Sequence, residues 1–204
     1  MRRCALPLGE LAADGRALLF TEARSANKFT DTPVTDEQLR DIYELFHYAP
    51  TQSNTNPLRI LFVQSPEARA RLLPHMSDGN RDKTATAPAT AVLAVDLDFH
   101  EFIPQLFPTR AHARERYAGE PDLRERHARF NASLQAGYFV LAVRAVGLAA
   151  GPMAGFDAAG VDGEFFADST WRSIVVINIG EPAEGAWFPE RLPRLEFEQA
   201  ARII

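Results

Sequence analysis

Three short apolar runs, Leu58 to Gln64, Ala89 to Asp96 and Ser173 to Gly180, limit what this chain can become more than any other feature. Each reads as a buried strand, bounded by polar or turn-forming sequence and too short for a core helix. Helical and irregular stretches separate them, which favours an α+β sandwich over a doubly wound sheet. Val34 to Tyr48 sets Leu39, Ile42, Leu45 and Phe46 at helical spacing, and Thr35 with Gln38 forms a capping box at its start. A short helix is predicted around Glu10 to Thr21. Another from about Ala132 to Val146 places Leu134, Tyr138, Leu141 and Ala145 on one face, while Ala136, Gly137, Ala142 and Ala149 keep its surface thin.

A chain of 204 residues with 46% hydrophobic content can bury one core, so a single domain over 1–204 is expected. The net charge of -5 gives no reason to expect nucleic acid or an anionic membrane as partner. Cys4 is the one cysteine, which excludes an intrachain disulfide and a multi-cysteine metal site, and its place near the start of the chain argues against catalysis. The start Met1 to Pro7 lacks the apolar core of a signal peptide, and no later run has the length of a membrane span. A soluble cytoplasmic protein is the expectation. Between His100 and Arg129 the composition changes: Arg110, Arg114, Arg116, Arg124, Arg126 and Arg129 mix with acids around Gly119-Glu120-Pro121. That pattern reads as a solvated excursion or lid at about 100–130.

Chemistry has few side chains to start from. There is no P-loop, no glycine-rich dinucleotide fingerprint, no paired-histidine zinc helix and no nucleophile elbow. The five histidines show no metal-ligand spacing, so no metal is expected. Reactivity would therefore come from a bound cofactor. The stretch Ala49-Pro50-Thr51-Gln52-Ser53-Asn54-Thr55-Asn56-Pro57 offers uncharged hydroxyls and amides between a helix and a strand, a set that can both donate to and accept from a flat polar heterocycle. Four further segments stand out. Ala23 to Phe29 carries Arg24, Ser25 and Asn27; Asn80 and Lys83 lie three apart, on one face if helical. Gly151 to Asp157 holds two glycines around Pro152, Met153 and Ala154, and Arg191 and Arg194 form a basic cluster. Taken singly, each is also what an ordinary turn, a surface ion pair or a helix cap looks like.

In this order and spacing the five segments resemble the FMN-dependent nitroreductase family across nearly the whole chain. Within it the chain is most similar to the branch containing the malonic semialdehyde reductase of pyrimidine degradation. That likeness runs through Ala23 to Asn27, Asn131-Ala132-Ser133-Leu134-Gln135, Gly151 to Asp157 and Gly160-Val161-Asp162. The resemblance implies a nitroreductase-like fold with a mostly antiparallel central sheet flanked by helices, in an intertwined homodimer with FMN at the subunit interface. Arg24 and Ser25 would bind the FMN phosphate and ring, with Arg191 or Arg194 completing the phosphate site. Asn27 stands where the family often has a basic residue, and Ala23 where it often has a second arginine. Pro50, Thr51, Ser53, Asn54 and Asn56 would line the flavin, Asn56 replacing the usual glutamine and Leu58 a frequent aromatic. Asn80 and Lys83 would bond the pyrimidine edge, and Pro152, Met153, Ala154 and Gly155 would flank N5. Hydride would pass from NADH or NADPH through N5 to the acceptor in ping-pong fashion. Malonic semialdehyde is the acceptor implied by the branch; nitroaromatics or quinones are the alternative, and a flavin-binding protein without turnover or a cofactor-free dimer are readings from other classes. Phe107, Arg110 and Arg114 are candidate substrate residues, while Phe102, Phe107 and Phe130 would serve either as a lid over the flavin or as dimer core.

Overall fold

The apolar runs become three strands of one sheet, and a fourth strand joins them. The computed structural model describes residues 9–204, so Cys4 lies outside the described residues. Among these, β1 (Leu58–Val63), β2 (Ala89–Asp96), β3 (Ala149–Met153) and β4 (Trp171–Gly180) form an antiparallel sheet in the order β1-β2-β4-β3. Every residue of β2 is buried, because both faces of the sheet are covered, and this explains a continuous apolar run in place of alternation. On one face Ala91, Leu93 and Val95 join the larger core; on the other Val92 and Ala94 pack with Leu72, Met76, Val161 and Phe166.

The helical elements are α1 (Ala13–Arg16), extended by a π-helical turn over Ala17–Thr21, then α2 (Asp36–Phe46), α3 (Pro66–Leu72), α4 (Asp78–Thr86), α5 (Ile103–Leu106), α6 (Ala113–Gly119), α7 (Pro121–Ala145), α8 (Ala158–Phe165) and α9 (Phe197–Ala200). The capping box of α2 forms as read: Gln38 N donates to Thr35 Oγ1 at 3.2 Å, and Thr35 N donates to Gln38 Oε1 at 2.9 Å. No helix among the described residues is long and apolar enough to cross a membrane.

Three expectations need correction. The Gly-Pro-Met-Ala-Gly run, which taken singly also reads as a turn, has its first three residues in β3, an edge strand whose outer side leaves room for a proline. The helix expected from Ala132 starts at Pro121, a residue suited to the first helical turn, and runs for 25 residues. It buries His127, Asn131, Gln135 and Phe139, while Leu134 and Tyr138, of the apolar face read from the sequence, are 43% and 44% exposed. The segment expected to be solvated is only partly so: His100, Ile103 and Tyr117 are buried and Arg114 and Arg124 half-buried, with Arg110, Arg116, Arg126 and Arg129 exposed.

Candidate functional site

Beyond the π-helical turn, Ala23 to Phe29 runs beside β3, with Ala26 N donating to Ala150 O at 3.0 Å. A Cβ on Gly151 would collide with the carbonyl of Ala26, so glycine permits this close approach. The C-terminal arm after β4 returns over the same segment, held by Asn27 N donating to Ala186 O at 2.9 Å. Between the segment and the arm lies a cavity of 380 Å³, whose lining includes Arg24, Ser25, Asn27, Pro152, Arg191 and Arg194. It thus brings together residues of the first, fourth and fifth sequence segments.

Arginine fixes this cavity. Arg24 Nη2 donates to the carbonyl of Phe188 and, at 2.9 Å, to that of Glu190. Arg191 Nη2 reaches back to Thr21 O at 2.7 Å and Ala23 O at 3.1 Å, whereas Arg194 bonds only the neighbouring carbonyls of Leu192 and Pro193. Arg144, from the last turn of α7, also lines the cavity. Its Nε is buried without a partner, and burial, then the charge of Arg191, push its pKa below the ordinary arginine value. Sequence reasoning missed it, because a basic residue in a last helical turn looks like an ordinary match to the helix dipole. Four guanidinium groups face one carboxylate, that of Glu190, which makes the cavity suited to an anion.

The third and fourth segments meet through Gly155. Its carbonyl accepts from Asn80 Nδ2 at 3.0 Å, Ser77 Oγ at 2.7 Å and Ser77 N at 3.1 Å. A Cβ here would lie 2.7 Å from both Asn80 Nδ2 and Ser77 Oγ. Asn80 and Lys83 are both half-buried on α4. Pro152, Ala154 and Gly155 are exposed; Met153 instead turns its sulfur inward, 3.9 Å from Thr84 Oγ1 and 3.8 Å from Asn178 Nδ2.

The binding loop lies elsewhere on the chain. Pro50, Thr51, Asn54 and Asn56 line a separate cavity of 540 Å³ with Tyr43, Arg59, Leu106 and Gln135. Three non-glycine residues are left-handed: Ser53 (φ 55°), Asn54 (φ 53°) and Asn56 (φ 43°). Such a conformation costs about 1 kcal/mol per residue, less for asparagine, and persists only where neighbours enforce it. They do so here. Asn131 Oδ1 accepts from Gln52 N at 2.7 Å, Gln135 Oε1 accepts from Leu58 N at 2.9 Å, and Asn54 Nδ2 donates to Leu106 O at 2.8 Å. Arg59 donates to Asn56 O at 2.8 Å and is neutralised by Asp96 at 2.8 Å, with Phe102 covering its guanidinium at 5.1 Å.

The candidate substrate residues follow Leu106, which lines this second cavity, in the chain, and the two arginines differ in how their charges are paired. Arg114 makes two 2.8 Å bonds to Glu101 and so carries a matched charge. Arg110 is exposed, its guanidinium 5.5 Å from the ring centre of Phe107. Phe130 stands outward on α7, 62% exposed.

Residues 21–181 match the family model described as the nitroreductase family. A Streptomyces coelicolor protein named for an inferred NADH dehydrogenase/NAD(P)H nitroreductase activity is 56% identical over 194 residues, covering 95% of this chain and 96% of its own. A Leptothrix cholodnii protein of the same name is 51% identical over 186 residues, covering 91% and 94%. Among solved structures, a nitroreductase-type protein from Exiguobacterium sibiricum in complex with FMN superposes with a TM-score of 0.83 at 18% identity, covering 96% and 99% of the two chains. The NADPH:FMN oxidoreductase of Vibrio harveyi complexed with NAD+ gives 0.70 at 22% identity, covering 93% and 76%. These two likenesses concern the fold. By family model and by relatives alike, the chain belongs to the nitroreductase family.

Proposed function

We propose that this chain is an NAD(P)H-dependent FMN oxidoreductase, that it works as a homodimer, and that malonic semialdehyde, reduced to 3-hydroxypropionate in pyrimidine degradation, is its acceptor. The observation that carries the reading is the division of the five segments. A cationic cavity suited to phosphate and an uncharged amide-and-hydroxyl loop suited to a ring system lie apart on one chain, so a second copy would complete each site. Apolar side chains left outside support that pairing: Phe130, Leu134 and Tyr138 on the outer face of α7, and Leu195 and Phe197 of the C-terminal arm, at 70% and 55% exposure.

The residues fit FMN on the criterion of the orphaned charge: the buried, partnerless Arg144 Nε lies within a cluster of arginines that only an anion would balance. Arg24, Ser25 and Asn27, with Arg191, would hold the phosphate. Arg191 is preferred to Arg194 because it reaches the Ala23 carbonyl. Pro50, Thr51, Ser53, Asn54 and Asn56 would line the ring, Asn80 and Lys83 its pyrimidine edge, and the main chain from Pro152 to Gly155 its reactive end, with Met153 contributing backbone only. Bound FMN supplies a two-electron carrier between NADH or NADPH and the acceptor. A cation at Lys83 would stabilise negative charge developing at the pyrimidine edge. An acidic aldehyde would want a further free cation, and Arg110 answers this better than Arg114, whose charge Glu101 already matches.

A second reading, nitroaromatic or quinone reduction, is favoured by the names of the Streptomyces and Leptothrix relatives. The visible spectrum of the protein, incubated with FMN and desalted, tests the common part: a flavin band that bleaches under anaerobic NADH or NADPH is expected. Absence of the band sinks the cofactor; a band that NAD(P)H leaves unchanged points to a flavin-binding protein without turnover. Steady-state comparison of malonic semialdehyde with a nitroaromatic then separates the acceptors, and a higher kcat/KM for the nitroaromatic overturns the first.

A further inference from the structure

Beneath the left-handed loop runs a buried chain of hydrogen bonds that no cofactor contact requires. Thr55, fully buried, donates its hydroxyl proton to Gln52 O at 3.1 Å, and its Oγ1 lies 3.1 Å from His127 Nε2. With that proton committed, Oγ1 must accept from Nε2–H, so the imidazole carries its proton on Nε2 and Nδ1 is an acceptor. The one group at Nδ1 is the hydroxyl of Tyr117, at 3.0 Å, which therefore donates. This assignment gives every donor an acceptor: Tyr117 to His127, His127 to Thr55, Thr55 to the carbonyl of Gln52. The amide of the same Gln52 is taken by Asn131, whose Nδ2 donates to His127 O at 2.8 Å. Phe99 closes one side of the imidazole, stacked at 5.3 Å.

We infer that Tyr117, His127 and Thr55 form a positioning relay by which the α6 segment, remote in sequence, holds the binding loop in its left-handed conformation. Three observations converge on it. The loop contains three strained residues within four positions and so needs outside enforcement. All three relay side chains are buried, so none of these bonds is exchanged for water. Both polar groups of one loop peptide residue, Gln52 N–H and C=O, end on this network. Low charge around the imidazole suits a neutral relay, and burial depresses the His127 pKa in the same sense. The relay's bearing on catalysis rests on the reading that the loop holds FMN.

Amide hydrogen exchange at Gln52 and Leu58 in the flavin-free protein tests the relay without that reading. Tyr117→Phe deletes a single hydroxyl that touches neither amide; at least tenfold faster exchange at both is expected, and the same in Thr55→Val. Thr55→Ser, which keeps the hydroxyl, restores near-parental exchange. A purely local role for Tyr117 predicts faster exchange in α6 alone, and that result overturns the relay. Should Tyr117→Phe fail to fold, equal exchange in Thr55→Val and Thr55→Ser overturns it instead. Titration with FMN then asks whether the position matters: Tyr117→Phe and Thr55→Val should weaken binding about tenfold while Thr55→Ser does not. Unchanged FMN affinity in both weakened variants overturns the link between relay and cofactor, whereas failure of the parent to bind FMN overturns the flavin reading and leaves the exchange result to stand for the relay.

Discussion

At the cationic cavity, exposed chain segments are tied together by arginines that donate to main-chain carbonyls; at the loop, buried side-chain amides from α7 hold a strained backbone. The first arrangement is rich in charge and tolerant of shape. Arg24 uses one terminal nitrogen on two carbonyls and keeps other donors for a ligand. The second has little charge and little tolerance, since Thr55, His127, Asn131 and Gln135, which hold it from beneath, are buried and hydrogen-bonded. A cofactor with an anionic tail and a flat polar ring asks for these two kinds of surface, and the fold builds them at different levels of α7: Arg144 at its last turn, His127 to Gln135 around its middle.

If the halves differ in this way, removing charge should act on binding and removing shape should act on folding. The double variant Arg24→Ala/Arg191→Ala gives the largest expected effect. Two charge-assisted contacts are worth about 3–6 kcal/mol together, so FMN affinity should fall a hundredfold or more, read by flavin fluorescence titration. Riboflavin, lacking the phosphate, should lose far less; an equal loss would break the assignment of charge to the tail. Gly151→Ala comes next. Its methyl group meets the Ala26 carbonyl, a backbone atom that can move only with its segment, and overpacking of this kind costs about 1–3 kcal/mol. A lowered urea midpoint with parental exchange at Gln52 and Leu58 is expected, because the disturbance stays in the cationic half.

How much could be read beforehand follows from the same contrast. The bounds of β2 and the capping box of α2 were legible because they depend on neighbours in sequence. Most of α7 was not. Its inward positions are His127, Asn131 and Gln135, polar residues that an apolar-periodicity reading assigns to solvent, while Leu134 and Tyr138 lie outside on this chain. β3 escaped because glycine and proline signal a turn, and only the adjacent Ala26 main chain explains why small residues sit there. The five segments were recognisable in order, but their division between two cavities is a property of the folded chain.

Asn131→Ala probes the loop half with a smaller effect. It strips Gln52 N–H of its acceptor, and an orphaned amide costs about 1–3 kcal/mol, reduced here if water enters the space. Loss of global stability should be accompanied by faster exchange at Gln52, with binding of FMN and riboflavin weakened equally. Preferential loss of FMN would contradict the division, because Asn131 would then be acting on the phosphate end.

The smallest expected effect is that of mild acid. Burial lowers the pKa of His127 below its ordinary 6.5. Burial first, then the charge of Arg124, lowers that of His100, against smaller raising contributions from Glu101 and Asp98. His100 Nε2 lies 3.4 Å from Glu101 Oε1, but it accepts from Arg124 Nη1 at 3.3 Å, so the pair is read as a neutral imidazole beside a carboxylate. Both histidines are thus neutral when folded and take up protons more readily when unfolded. Their contribution to stability is complete above about pH 6.5 and is lost as pH falls from there through the folded-state values. Urea midpoints measured downward from pH 8 should stay level to about 6.5 and then decline. FMN binding cannot by itself assign that decline to the loop, since a phosphate monoester also loses charge near pH 6. Riboflavin can: with no phosphate, its affinity should fall in the same window if the loop loosens as His127 is protonated. A riboflavin affinity that is flat from pH 8 to 5.5, beside a falling FMN affinity, would place the acid sensitivity of binding in the cationic half alone.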